Sequence, residues 1–436
     1  MTFVGVASVA GSVATAPGYQ PPRLAALAPT PVVTEATPSI SPSPSGSPTP
    51  SSAPPSVASR LSAPVPTSVA LSALSPWTAQ LHIAAPPGTQ RVQIYRQGRL
   101  LDDFAASPGA FDYTDHLLWP STGYLYDLRW LGAGGQLIAD RQVTTTTPAQ
   151  RGPVPRLYAS TSFWNRPIPA SPAIDAGSAA MVAKAIVPYA TSANLANSND
   201  WGRSLAYADG RSRLYTVGCS LYSCDTAVSF RIPAYAQPNT GSDHHLAVID
   251  AVAGGELDMW LGAGSAGGWS AGSRYLTSTL GWGAICGQGQ HCGGANAAGF
   301  ALMGGIIRPE EIAQGHIDHA LFFTTPYTRS GLIACPATSS DGQFNDPGAL
   351  PEGAHIQLDP AVNVDAQAWP RWEKVVAHAL QTYGAYLGDT GGSLAFFGEN
   401  SLDRGYDAWS RAGAPVSASL AGLPWAAFRV LQLRNC

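Results

Sequence analysis

The densest group of polar side chains lies on one short stretch of the sequence. Asp243 and His245 precede the apolar run Leu-Ala-Val-Ile, and Asp258 and Trp260 follow a Gly-Gly pair. This pattern predicts a β-hairpin whose two-residue turn is Ala253-Gly254. Because side chains alternate between the two faces of a strand, such a hairpin places these four polar or aromatic side chains on one face.

The apolar residues of both strands favour this register of the hairpin. It collects them on the opposite face: Leu246, Val248, Leu257, Met259 and Leu261. A slip by one residue would place Asp258 beside Asp250 instead, and it would split the apolar set.

Carboxylates beside an imidazole and an indole suit a groove that processes sugars. One carboxyl group protonates the glycosidic oxygen, while another acts as base or nucleophile. We therefore predict Asp243 and Asp258 as an acid/base pair, with His245 beside them. In the alternative interpretation, Asp243 caps a turn and His245 is a hydrogen-bonded structural residue.

Two later positions add titratable groups. His319 begins an apolar run, and Asp389 stands at a turn before Gly391. We predict both as catalytic candidates, with Asp389 as the reserve carboxylate; their structural alternatives are a core histidine and a turn-capping aspartate. A metal site built from His316, Asp318, Asp243 and His244 is not selected by their spacing, so we predict no metal and no cofactor.

Aromatic residues are abundant near glycine-rich segments. A ring of this type offers an apolar face on which a sugar can stack. The predicted substrate-binding residues are Trp201, Trp260, Trp269, Trp282 and Tyr386. The Gly, Ala and Ser-rich segment 262–294 is predicted to form the rim of a cleft, although each Trp taken singly is more often a core residue.

The elements that position these residues are mostly short strands. Only 12% of residues are charged, against a usual value of about 25%, and the chain contains 46 Gly and 37 Pro. Helices are predicted at 179–186, at 372–383 and from Pro309. The fold class is therefore mainly β: region 155–436 is predicted to be a large β-sandwich or jelly-roll-like domain with a few helices.

Residues 67–149 are predicted to form a separate small sandwich. The segment Leu118-Trp-Pro-Ser-Thr-Gly-Tyr124-Leu-Tyr126 resembles the fibronectin type III pattern Leu-x-Pro-x-Thr-x-Tyr-x-Tyr. The resemblance implies that Tyr124 makes a corner hydrogen bond and that Tyr126 enters the core. It also implies a spacer or docking module and not a catalyst.

The N-terminal part of the chain indicates export. Residues 1–16 are small and apolar like a signal segment, although the first Arg is Arg23, and residues 17–66 form a Pro/Ser-rich tether. Six cysteines suggest disulfides and an oxidising compartment. They allow about fifteen connectivities, of which proximity favours Cys219 with Cys224, Cys286 with Cys292, and Cys335 with Cys436. The net charge of -4 does not indicate a basic surface that would bind nucleic acid. No membrane span is predicted after the N-terminus.

The motifs of the C-terminal region together resemble a family of secreted bacterial domains. Its pattern is Asp-x-His, then His-Ala-Leu on a strand, then Tyr-Gly followed by Asp and Gly. In this sequence it falls on Asp243, His245, His319-Ala320-Leu321, Tyr383-Gly384, Asp389 and Gly391. The resemblance implies one coherent domain and assigns no activity to it.

A secreted glycoside hydrolase acting on a polysaccharide is the function these features favour. The sequence lacks H-E-x-x-H and P-loop motifs, which argues against the common zincins and nucleotide-binding proteins. One alternative is a polysaccharide lyase that uses His245, His319, Tyr386 and Arg308. Another is a surface adhesin or carbohydrate-binding protein without catalysis. The sequence does not set the oligomeric state.

Overall fold

The computed structural model describes residues 68–106, 109–221, 228–287, 290 and 292–436. The predicted signal segment 1–16 and tether 17–66 lie outside these residues, as does Cys224. Within the described ranges, no helix has both the length and the apolar character needed to cross a membrane. The predicted mainly β class is confirmed, because strands far outnumber the few short helices.

Seven antiparallel strands build the module at residues 68–146, here called the fibronectin-like module. They are β1 (Ser68–Ser75), β2 (Thr78–Ala84), β3 (Arg91–Arg96), β4 (Arg99–Ala105), β5 (Ala110–Asp115), β6 (Gly123–Leu131) and β7 (Leu137–Thr146). One sheet has the order β1-β2-β5 and the other β4-β3-β6-β7. Alternate residues such as Leu81, Ile94 and Trp130 are fully buried between them.

The two tyrosines of the fibronectin-like pattern occupy the predicted positions. The Tyr124 hydroxyl accepts a hydrogen bond from the Trp119 backbone N–H at 2.7 Å, which is the corner contact. Tyr126 is fully buried, and its hydroxyl donates to Asp115 at 2.7 Å. Both predicted roles are confirmed.

A buried ionic network joins this module to the region predicted at residues 155–436, here called the large domain. Arg96 forms an ion pair with Asp115 at 2.9 Å and donates to the backbone oxygen of Arg404 at 2.8 Å. Arg404 in turn is held by Glu399 at 2.6 Å and Glu310 at 2.7 Å. All five side chains are at least nine-tenths buried, so the contact excludes water.

The large domain contains fourteen strands within the described residues. They are β8 (Asn194–Ala196), β9 (Ser204–Ala208), β10 (Leu214–Cys219), β11 (Val228–Arg231), β12 (Leu246–Asp250), β13 (Gly255–Trp260), β14 (Ala263–Ser265), β15 (Gly268–Ala271), β16 (Ser273–Ser278), β17 (Leu321–Thr325), β18 (His355–Leu358), β19 (Ala385–Thr390), β20 (Ala395–Phe397) and β21 (Phe428–Val430). They form three sheets, with the orders β11-β10-β15-β14, β16-β13-β12-β9 and β21-β18-β19-β17-β20-β8.

Helices are few and short. They are α1 (Ser178–Met181), α2 (Pro309–Gln314), α3 (Arg371–Thr382) and α4 (Ala408–Ala412). The helices predicted at 372–383 and from Pro309 are confirmed as α3 and α2. The segment predicted at 179–186 starts as α1 and continues as a π-helical turn, Val182–Ile186, and a 3₁₀ turn, Val187–Ser192. Short 3₁₀ turns also form at Phe163–Asn165 and Trp425–Ala427.

The predicted hairpin exists as β12 and β13. Leu246 pairs with Met259 and Ala247 with Asp258, so the apolar residues share one face and Asp258 lies on the face of Ala247. The predicted division of faces is confirmed, but four residues, 251–254, connect the strands where two were expected. Because β16 and β9 flank the hairpin on both sides, its centre is an interior position of the sheet.

Two predicted disulfides are present. Cys286 is bonded to Cys292 and Cys335 to Cys436. Cys219 is also disulfide-bonded, but its predicted partner Cys224 lies outside the described residues.

Candidate functional site

A cleft of about 770 Å³ opens on the large domain where loops from several sheets converge. It brings together residues that are far apart in the sequence, and three of the predicted catalytic residues line it: Asp243, His245 and Asp389. Further lining side chains that matter below are Arg203, Asp341, Trp201 and Trp260. A volume in this range is typical of ligand-binding clefts.

Asp389 lies near the end of β19, just before a Gly-Gly turn. It is half-buried, and the backbone N–H of Ala297 donates to its carboxylate. Burial, assisted by the neighbouring carboxylate of Asp341, raises the pKa of Asp389 to about 7, although the positive charge of Arg203 opposes the rise. The group therefore titrates near neutral pH.

Arg203 and His245 form a buried pair in the wall of the cleft. The Arg203 guanidinium, only 2% exposed, lies over the rings of Phe322 and Phe397 and donates to the His245 Nδ1 atom. The His245 Nε2–H donates to the Ala295 backbone oxygen at 2.8 Å. Burial and the adjacent guanidinium hold the pKa of His245 well below its usual range, so the ring is neutral. With both nitrogens engaged, His245 positions Arg203 and has no free lone pair for a substrate proton.

Asp243 lies beside this pair and is open to solvent. Its side chain is 42% exposed, and its Oδ2 atom is 3.9 Å from the His245 Nδ1 atom. The residue precedes β12 in a turn that includes His244, whose φ of 44° is left-handed. Arg203 interacts electrostatically with both Asp389 and Asp243, so the two carboxylates lie around one buried cation.

Two carboxyl groups, those of Asp341 and Glu352, adjoin Asp389. Oxygen atoms of Asp341, Glu352 and Asp389 all lie within 4.8 Å of one another. Glu352 is fully buried; its Oε2 atom accepts from the Asp341 backbone N–H at 3.0 Å, and its Oε1 atom has no hydrogen-bond partner among the described residues. Burial and the Asp341 carboxylate raise the pKa of Glu352 to about 9, so it is protonated at neutral pH.

Among the described residues, these three carboxyl groups lie close enough together to be ligands of one metal ion. Hard cations such as Ca²⁺ prefer oxygen ligands but take six to eight of them. A proton on Glu352 removes one of the three negative charges of this cluster, so a metal ion is not required to balance it.

Two of the five predicted aromatic platforms line the cleft. Trp201 is 49% exposed and Trp260 is half-buried there. Tyr386 is instead buried and stacked on His355, with ring centroids 4.0 Å apart, and Trp282 packs edge-on against a core phenylalanine. Trp269 is mostly buried and faces a different groove.

Asp258 and His319 do not line the cleft. Asp258 is fully buried in the interior of its sheet, where its Oδ2 atom accepts from the Leu302 N–H at 3.0 Å. Burial and the neighbouring Glu256 raise its pKa well above its usual range. The His319 Nε2 atom is 3.1 Å from Glu311, and its Nδ1–H donates to the Ala320 oxygen. Both are therefore left out of the proposed site.

Known structures are similar to this chain only over small parts of it. No protein-family profile matches this chain, and no curated protein is similar to it. Among solved structures, a family 28 exopolygalacturonase of Yersinia enterocolitica is 20% identical, with 23% of this chain and 22% of that one covered and a TM-score of 0.18. The FN5 domain of Drosophila Lar is 20% identical over 20% of this chain and 96% of that one, with a TM-score of 0.16. The fibronectin(III)-like modules of Clostridium thermocellum CbhA are 10% identical over 18% and 86%, with a TM-score of 0.15. The last two neighbours are fibronectin type III domains, and each matches only a small part of this chain.

Sequence reasoning did not identify three residues that shape the site: Arg203, Asp341 and Glu352. Asp341 and Glu352 lie in loops with turn-like neighbours, Ser-Ser-Asp-Gly and Pro-Glu-Gly, that carry no chemical signature. Arg203 precedes β9, and only the parallel pairing of β9 with β12 brings it to His245.

Proposed function

We propose that this protein is a secreted glycoside hydrolase that cleaves a polysaccharide in the cleft, with Asp389 as general acid and Asp243 as the second carboxylate. The observation that carries the proposal is that two carboxylates in different environments open on one cleft around Arg203. Glycosidic cleavage needs two carboxyl groups, one that donates a proton to the leaving oxygen and one that acts as base or nucleophile.

The environment of Asp389 suits the acid. With a pKa of about 7, a large fraction of this carboxyl group keeps its proton near neutral pH and can donate it to the leaving oxygen. Asp243 is exposed, and no cationic side chain of the described residues lies at hydrogen-bond distance from it, so it is accessible as base or nucleophile. The Arg203 charge reduces the repulsion between the two groups.

Trp201 and Trp260 support a carbohydrate as the ligand. Both line the cleft, and indole rings bury large apolar area with little loss of conformational freedom. A cleft of about 770 Å³ has room for a short stretch of sugar rings.

The residues considered for a lyase are engaged elsewhere. Both nitrogens of His245 are hydrogen-bonded, and His319 is paired with Glu311. Arg308 also contacts Glu311, and Tyr386 is in the core. The cleft therefore lacks the proposed proton-abstracting base, and hydrolysis is the better fit.

Release of reducing sugar from a panel of plant, algal and microbial polysaccharides tests the proposal. Asp389→Asn and Asp243→Asn should each lower the rate at least 100-fold, because general acid–base groups contribute about 10²–10⁴-fold. Asp365→Asn, at an 83% exposed side chain, is the matched control and should retain full activity. Folded protein that releases no sugar but binds a polymer would contradict hydrolysis and indicate a binding protein. Activity retained in Asp389→Asn would exclude that residue as the acid.

A further inference from the structure

A second groove, separate from the cleft, runs where the fibronectin-like module meets the large domain. Its volume is about 1020 Å³, and it shares no lining residue with the cleft. Four arginines line it: Arg91 from the module, and Arg211, Arg213 and Arg231 from the large domain. We call it the interdomain groove.

Hydrogen bonds between the two parts fix the walls of this groove. The Ser212 hydroxyl donates to the buried carboxylate of Asp102, and the Thr114 N–H donates to Asp209 at 3.0 Å. Arg99 donates to the Tyr235 backbone oxygen at 3.0 Å. Because these contacts cross the boundary, the groove is a preformed surface and needs no domain closure.

The acidic residues that line the groove form no ion pair with two of its arginines, Arg213 and Arg231, within the described part of the chain. Asp103 is bound by Arg91, and Asp102 is 1% exposed with its pKa raised to about 7 by burial. Arg213 and Arg231 consequently have no carboxylate partner among the described residues.

Both of these arginines are held in place with donors to spare. The Arg213 Nη1 atom donates to the Ala266 oxygen at 2.7 Å, and the guanidinium lies 5.0 Å from the Tyr215 ring centroid. The Arg231 Nη1 atom donates to the Ser212 oxygen at 2.7 Å. A guanidinium has five N–H donors in a rigid fork, so most of them are not used by these contacts.

We propose that the interdomain groove binds an acidic polysaccharide chain, with Arg213 and Arg231 donating to its carboxylate or sulfate groups. Arginine forks match such anions in a bidentate geometry, and Tyr215 adds an aromatic surface beside them. The cleft is lined instead by Asp243, Asp341 and Asp389, so an anionic chain is attracted to the groove and repelled by the cleft. The groove is an anchoring site and does not depend on the proposed hydrolysis.

Affinity electrophoresis of the full chain in native gels tests this inference. Dextran sulfate and dextran form a matched pair that differs in charge, and alginate supplies carboxylates. We expect retardation by both acidic polymers, none by dextran, and a dissociation constant that rises steeply with salt. Arg213→Gln and Arg231→Gln should each weaken binding about tenfold, the cost of one charge-assisted contact.

Two controls make the result decisive. Arg151→Gln, at an exposed site outside the groove, should bind like the parent, and so should Asp243→Asn in the cleft. Unchanged melting temperatures of the Gln variants show that they fold. Absence of retardation, equal retardation in the Arg213→Gln/Arg231→Gln double variant, or loss of binding in Asp243→Asn would overturn the proposal. None of these outcomes depends on catalytic activity.

Discussion

Replacing Glu352 by Gln should change how the stability of the protein depends on pH. Glu352 is fully buried, and its carboxyl oxygens face those of Asp341. Gln resembles the protonated acid in shape but cannot ionise. The variant should therefore fold like the parent at low pH and resist alkaline conditions better.

The sign and size of the effect follow from the pKa. The pKa of Glu352 rises from 4.5 to about 9 on folding, so the folded protein keeps a proton that the unfolded chain loses in this range. Stability from this group is fully present below pH 4.5 and is lost as the pH rises to about 9. At roughly 1.4 kcal/mol per unit the whole change is at most about 6 kcal/mol. Because Asp389 is ionised above about pH 7, the interval from pH 7 to 9 isolates up to about 3 kcal/mol for Glu352.

Denaturant unfolding at pH 5, 7 and 9 measures this difference. The parent should lose stability between pH 7 and 9, and Glu352→Gln should lose much less. Glu373→Gln is the matched control: Glu373 also has a buried oxygen without a hydrogen-bond partner in the described part of the chain, but it lies on α3, away from Asp341. Parallel pH profiles for the parent and Glu352→Gln would refute the argument. A parent profile flattened by added Ca²⁺ would show that a cation, and not a proton, neutralises the cluster.

Two further predictions concern the buried network and the rim of the cleft. Arg404→Met removes a cation that is 1% exposed and leaves two buried glutamates unpaired, so the unfolding free energy should fall by about 3–5 kcal/mol; a loss below 1 kcal/mol in denaturant unfolding would contradict this. Trp201→Ala truncates a half-exposed side chain, so it should leave the melting temperature unchanged and weaken oligosaccharide binding several-fold in calorimetric titrations. Equal binding by this variant would show that the ring is no platform.

Local patterns in the sequence were sufficient for the faces of the hairpin strands but not for their place in the sheet. The alternation of polar and apolar residues correctly divided the faces of β12 and β13, because the period of a strand is two. It could not show that β16 and β9 would enclose the hairpin and bury Asp258. The turn length was also missed, because the turn uses Asp250 to cap the N–H groups of Val252 and Ala253.

The candidate site shows the same division. Asp243, His245 and Asp389 were identifiable because polar side chains beside Gly-rich turns stand out in a chain with few charges. Arg203 and Glu352 were not, since long-range strand pairing brings Arg203 to the cleft and loop contacts bring Glu352 beside Asp341 and Asp389. No periodicity in a single sequence carries that information.

The network around Arg96 and Arg404 also limits how this chain can be rearranged by recombination. An independent module could be exchanged for another without loss. Here the fibronectin-like module supplies Arg96, which is buried and donates to the Arg404 backbone oxygen. A substitute module without that arginine would leave Asp115 or its equivalent without a cation and the Arg404 carbonyl without a donor. We therefore expect the fibronectin-like module and the large domain to be inherited, expressed and engineered together as one unit.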